Sequence, residues 1–114
     1  MPKAILVVQS QPSDPSREDE YNEWYDNTHL AEVCAVPGFT GATRYKIAGD
    51  LTPDGVVPAD RSRPAYLAVY TMESDDLDGV LQELGAQAGD GRMQMSDALS
   101  MDPLPTTTLY LARD

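Results

Sequence analysis

His29 is the chain's single histidine. It stands four residues after Tyr25, three after Asp26 and three before Glu32. Side chains three and four apart meet on a helix, so this spacing offers the imidazole a phenol and two carboxylates. Carboxylates raise a histidine's pKa and burial lowers it, so His29 is expected to titrate near neutral pH. That suits a general acid or base. Tyr25 would orient the ring or donate to a substrate oxygen, and Glu32 or Asp26 would hold the imidazole. Tyr21 and Trp24, with Tyr25, supply an aromatic wall for a planar or apolar ligand. The same spacing also fits a histidine that is merely packed and hydrogen-bonded. Asp26, His29 and Glu32 are not a strong ligand motif, and no Cys/His cluster has zinc spacing. No metal and no cofactor are therefore expected. Cys34, the lone cysteine, reads as a small hydrophobe, with nothing nearby in sequence to lower its pKa.

These residues need a helix from about Arg17 to Val36. Asp14 or Ser16 would cap it, Glu18, Asp19 and Glu20 would fill its first turn, and Pro37-Gly38 would end it. Winding it from Tyr21 at about 3.6 residues per turn gathers Trp24, Tyr25, Thr28, Ala31, Glu32, Ala35 and Val36 on one half. His29 then lies at the edge, while Leu30, Val33 and Cys34 fall towards the other side. Residues 4–9 read as a buried first strand. Phe39 to Ile47 alternates, with Thr43, Tyr45 and Ile47 pointing one way and Ala42, Arg44 and Lys46 the other. Tyr45 is expected to shape the pocket and Arg44 to bind the ligand; the plainer readings are a core aromatic and a surface charge. Residues 49–64, rich in Gly, Pro and Asp, read as a long loop that could act as a lid. Tyr66 to Met72 is a third strand. Ser74 or Asp75 would cap a second helix striped by Leu77, Val80, Leu81, Leu84 and Ala88. Residues 90–102 resist assignment, with Met93, Met95 and Met101 filling gaps or lining a flexible segment. Thr106 to Ala112 is the last strand.

The order βαββαβ predicts an α+β, ferredoxin-like fold: a four-stranded antiparallel sheet with both helices on one face. At 114 residues the chain is expected to form one domain, 1–114. The uncovered sheet face, carrying Tyr and Thr without a matching set of charges, invites a second sheet, and a homodimer is the economical solution. Eight basic residues against nineteen acidic ones give a net charge of −11. From residue 65 onward only Arg92 and Arg113 are basic. Such a surface repels phosphate backbones and anionic membranes, so neither nucleic acid nor a membrane is an expected partner. The apolar run near the start is too short for a signal segment or a span, and a cytoplasmic location is expected by default.

The run Y-N-E-W-Y-D-N-T-H-L-A-E-V-C-A-V-P-G-F-T-G-A-T-R-Y-K resembles the first helix and second strand of the dimeric α/β-barrel superfamily, closest to its small EthD-like members. The shared pattern is W-Y-x-x-x-H-x-x-x-V-x-x-x-P-G-F-x-x-x-x-R-Y. Trp24, Tyr25, His29, Val33, Pro37, Gly38, Phe39, Arg44 and Tyr45 fill it. The resemblance implies a homodimer whose two sheets form a central barrel, with each subunit's pocket between its own sheet and helices. His29 matches a helix-one histidine proposed as an acid/base in some cofactor-free members. The superfamily holds polyketide cyclases, muconolactone-type isomerases, quinone-forming monooxygenases and haem-handling proteins, so the resemblance implies no single activity.

The leading expectation is a cofactor-independent isomerase or cyclase acting on a hydrophobic, oxygenated small molecule such as a lactone, polyketide or aromatic catabolite. The alternative is a non-catalytic accessory protein that binds a ligand in the same cleft. Haem handling is a third, weaker reading. An imidazole facing a cavity with Tyr25 and a carboxylate at hydrogen-bond distance would favour catalysis; an imidazole facing solvent would favour binding.

Overall fold

Buried and more exposed side chains alternate along Tyr66–Glu73, and this strand with Lys3–Ser10 forms the centre of the sheet. In the computed structural model, residues 2–47 and 64–113 are described. Lys3–Ser10 (β1), Phe39–Lys46 (β2), Tyr66–Glu73 (β3) and Thr106–Leu111 (β4) form one four-stranded sheet in the order β2-β3-β1-β4. Every neighbouring pair is antiparallel. Register places Leu6 opposite both Tyr70 and Leu109, and Arg44 opposite Ala68. A bulge between Phe39 and Gly41 shifts the β2–β3 pairing near the start of β2. Side chains alternate across a pleated strand, so Ala4, Leu6, Ser10, Ala68, Tyr70 and Met72 share one face, and all of them are buried. The fold is the expected α+β, ferredoxin-like arrangement.

The first helix is less regular than its sequence suggests. A short 3₁₀ turn, Pro15–Arg17, precedes it; Asp14 caps that turn by accepting the Ser16 N–H at 2.9 Å. The helix α1 begins as Glu18–Trp24, widens into a π turn at Tyr25–His29, and closes as Leu30–Cys34. Leu30 N–H donates to Tyr25 O, five residues back, in place of the usual four. This single widened turn overturns the simple helical wheel. Ala31 and Ala35 lie exposed, whereas Val33 joins Tyr21, Tyr25 and Val36 in the core.

Gly38 then turns the chain into β2 with φ +109°, and a Cβ there would stand 2.4 Å from Val80 Cγ2. Only glycine tolerates both the backbone and the close approach. The second helix, Leu77–Gly89 (α2), is capped by Asp76, which accepts Gly79 N–H at 3.0 Å. The expected caps Ser74 and Asp75 are displaced; Ser74 Oγ instead accepts the Asp76 N–H at 3.0 Å. Val80 is the buried residue of α2.

Residues 90–105 form no regular helix or strand but are pinned back across the molecule. Ser13 N–H donates to Ala98 O at 2.6 Å, Ser100 N–H to Gln11 O at 2.9 Å, and Pro12 bridges to Leu99. Arg17 adds an ion pair to Asp97 at 2.6 Å. The expected 49–64 lid lies outside the described residues except for Pro64.

Candidate functional site

Between α1, the sheet, α2 and the 93–105 segment lies a cavity of about 210 Å³. Its polar lining is Ser10, Tyr25, His29, Tyr70 and Thr107. Leu6, Val8, Val33 and Leu84 are among its apolar walls, with Met93, Met95 and Met101 on the side formed by the pinned segment. The π turn begins at Tyr25 and ends at His29, so the widened turn itself presents the phenol and the imidazole to the cavity.

The rings interlock. Tyr25 meets His29 edge-on at 5.0 Å between centroids, and Trp24 stacks on His29 at 4.7 Å. Trp24 is itself held by donating Nε1–H to Gln94 O at 2.8 Å. Tyr21 abuts Tyr25 at 5.6 Å, and its hydroxyl shares a 2.6 Å hydrogen bond with Ser10 Oγ. Trp24 and Tyr21 therefore buttress the lining residues and do not line the cavity themselves.

Among the described residues, His29 Nδ1 is buried without a hydrogen-bond partner, and buried Tyr70 Oη makes no hydrogen bond of good geometry, although it lies close enough to the Tyr25 hydroxyl to affect its ionisation. Leaving such groups unpaired costs about 1–3 kcal/mol each, and a polar ligand atom in the cavity would satisfy them. Burial pushes the His29 pKa below the usual 6.5; the Glu32 charge opposes this and Arg44 reinforces it. Burial also raises the pKa of Tyr25 and of Tyr70, the latter further because the two tyrosines are neighbours. At neutral pH the site thus holds a neutral imidazole and two neutral phenols.

The carboxylates are not where helix spacing puts them. Glu32 accepts the Gln94 backbone N–H with both oxygens at 3.0 Å, tying α1 to the methionine-bearing segment. Asp26 accepts from Arg44 Nη1 at 2.9 Å. Neither is hydrogen-bonded to His29, and the expectation that one would hold the ring is corrected. Long-range partners outcompeted helix-surface neighbours, whose pairing is worth only about 0.2–0.5 kcal/mol.

Arg44 and Tyr45 also differ from expectation. Adjacent residues of a strand face opposite ways, so both cannot reach one pocket. Arg44 lies on the helix-bearing face, its side chain only 10% exposed, with its guanidinium 4.3 Å from the Tyr25 centroid and 5.2 and 5.1 Å from those of Tyr21 and Tyr66. It is no surface charge, and it stands behind Tyr25 without lining the cavity. Tyr45 points to the opposite face and is 52% exposed, neither core nor pocket. Tyr70 and Ser10 belong to the site but were not among the expected residues. The alternation that put Tyr70 on a face with Tyr66 and Met72 was the available signal.

No family model matches the chain, and no curated protein does. A solved structure described as an ethyl tert-butyl ether D (EthD) family protein, from Bacillus halodurans C-125, aligns over 96% of both chains with a TM-score of 0.57 and 19% identity. The chain has an EthD-like fold. At this identity the likeness is one of architecture, and it agrees with the resemblance carried by the W-Y…H…P-G-F…R-Y pattern. Among the described residues of this EthD-like chain, no cluster of three His, Cys, Asp or Glu side chains could hold a metal ion. None of their helices is long and apolar enough to cross a membrane.

Proposed function

We propose that this EthD-like protein is a small-molecule enzyme that moves a proton on an oxygenated, largely apolar substrate by isomerase- or cyclase-type chemistry. The observation that carries the reading is that one cavity is lined by the His29 imidazole, whose buried Nδ1 has no partner among the described residues, together with the Tyr25 and Tyr70 hydroxyls. A desolvated neutral imidazole can take a proton from a carbon next to a carbonyl. In a β,γ-unsaturated carbonyl compound the electron pair of that C–H bond forms a new C=C bond as the carbonyl π pair shifts to oxygen. The resulting dienolate oxygen accepts hydrogen bonds from the Tyr25 and Tyr70 hydroxyls. Return of the proton to a different carbon completes an isomerisation, with no oxidant or reductant needed. Two donors aimed at a developing oxyanion stabilise the transition state more than the ground state. Arg44, behind Tyr25, adds positive potential on the same side.

A volume of about 210 Å³ lies below the roughly 300–1,000 Å³ of pockets for drug-sized ligands. It suits small lactones and monocyclic compounds. A second reading, ligand binding without turnover, is favoured by one observation: neither Asp26 nor Glu32 orients the imidazole. The proposal includes a homodimer joined through the open sheet face, where Ile5, Val7, Leu67 and Val69 are only partly buried. It also includes a cytoplasmic location, in keeping with a single unpaired cysteine.

The test is exchange of α-hydrogens in D₂O, followed by NMR on a panel of small cyclic ketones and lactones. The protein should accelerate exchange on at least one of them, and His29→Ala should lower that rate by about 10²–10⁴-fold with an unchanged far-ultraviolet spectrum. An undiminished rate removes His29 from the reaction. Binding without exchange across the panel leaves the accessory-protein reading.

A further inference from the structure

The lining of the cavity states which ligands it can hold. We infer that the site selects uncharged, one-ring molecules carrying a carbonyl or hydroxyl oxygen and rejects the corresponding ring carboxylates. This rests on the reading of the cavity as a ligand site and says what kind of ligand enters.

Three observations support it. First, among the described residues no charged side chain lines the cavity; its polar groups are two phenols, one imidazole and two aliphatic hydroxyls. A carboxylate taken from water into such surroundings without a cation suffers one of the largest desolvation penalties in protein chemistry. The nearby cation, Arg44, does not line the cavity and already pairs with Asp26 at 2.9 Å. The imidazole supplies no charge at neutral pH because burial holds its pKa down. The net charge of −11 further disfavours the approach of anions.

Second, the size fits one ring. A dry cavity of about 150 Å³ accepts benzene, so about 210 Å³ accommodates a six-membered ring with one or two small substituents. Third, the lining pairs hydroxyl and imidazole groups with thioethers. Ser10, Tyr25, His29 and Tyr70 come from β1, α1 and β3, whereas Met93, Met95 and Met101 come from the pinned segment. Thioethers pack favourably on aromatic ring edges and adapt to irregular shapes. An oxygen at the tyrosine end and a ring among the methionines satisfies both sets of groups.

Trp24, the single tryptophan, reports on the site through His29, on which it stacks. It is also bonded to Gln94 O, between Met93 and Met95. The full-length protein at pH 7.5 would be titrated with 4-methylbenzamide, p-cresol and 4-methylbenzoate while Trp24 emission is followed. Amide and carboxylate share ring and shape and differ in charge. The two neutral compounds should change the emission saturably, and the carboxylate should bind ~100-fold or more weakly than the amide. Carboxylate affinity equal to or above that of the amide overturns the selectivity while leaving the ligand site standing. Failure of all three, with ligand-observed NMR also showing no contact, overturns the ligand site itself.

Discussion

Tyr70→Phe is expected to stabilise the protein while weakening its site. The ring of Tyr70 is 1% exposed and sits at the middle of β3 opposite Leu6, with Phe39 edge-on at 5.9 Å. Phenylalanine keeps that ring, its rotamer and its contacts, so no cavity opens. Only the hydroxyl goes, and among the described residues that oxygen makes no hydrogen bond of good geometry, although the Tyr25 hydroxyl is near it. Taking an unpaired hydroxyl out of water costs about 1–3 kcal/mol. Its removal should return about 1–2 kcal/mol, or about 4–8 °C in Tm for a chain of this length. Urea unfolding followed by circular dichroism, at matched protein concentration, measures this, and the slope should stay constant. Affinity for p-cresol should fall about fivefold, the worth of one neutral hydrogen bond. Higher stability with lower affinity is the signature of a group retained for function. A loss of more than about 1 kcal/mol would refute the reasoning, because it would mean that the hydroxyl is satisfied in the folded protein, with Tyr25 the obvious partner.

Three further outcomes follow from the same geometry. As the chain's only histidine, His29 gives a single titrating Cε1 proton signal; its midpoint should lie below 6.5 because burial outweighs Glu32. The unfolded chain then binds a proton before the folded one does, so stability should fall as pH drops through 6.5 and level off below the folded-state pKa; a midpoint above 6.5 contradicts this. Gly38→Ala should cost about 1–3 kcal/mol, and adding Val80→Ala should not rescue it, because the φ of +109° remains strained after the 2.4 Å clash is relieved; full rescue in urea unfolding would assign the whole effect to packing. Val69→Lys, on the open sheet face beside Val7 and Thr43, should shift sedimentation from dimer to monomer mass; a wild-type protein already sedimenting as a monomer refutes the dimer.

The fold was legible because its signals are local. Alternation along Tyr66–Glu73, the β-rich run of Thr106–Leu111, the Pro37-Gly38 stop and the stripe on α2 each act over a few residues. Half of the site was legible for the same reason, since Tyr25 and His29 are close neighbours along one helix. The other half depends on contacts distant in sequence. Tyr70 reaches the cavity through strand pairing, and Met93, Met95 and Met101 reach it because Gln94 is held by Glu32 and Trp24. The carboxylates show the limit most clearly. Helix spacing permits Asp26 and Glu32 to meet His29, but Arg44 on β2 and the Gln94 backbone N–H offered stronger partners that no spacing rule reveals.

One irregularity in the sequence did announce the site. Apolar residues Leu30, Val33 and Cys34 fall out of phase with Tyr21 and Tyr25 when α1 is wound at a constant pitch, as though one residue too many stood between them. That extra residue is absorbed by the π turn, where the hydrogen bond runs from Leu30 N–H to Tyr25 O. Beyond the turn the apolar positions arrive one residue late, so Val33 is buried and Ala31 and Ala35 are left outside. A helix gains nothing in backbone hydrogen bonding from such a turn, and π turns recur where a side chain must be redirected for function. Here the redirected residues are Tyr25 and His29, at its two ends, both lining the cavity. The break in hydrophobic phase and the chain's only histidine thus coincide because both belong to the same turn, which leaves Tyr25 and Val33 buried and brings the imidazole to the cavity.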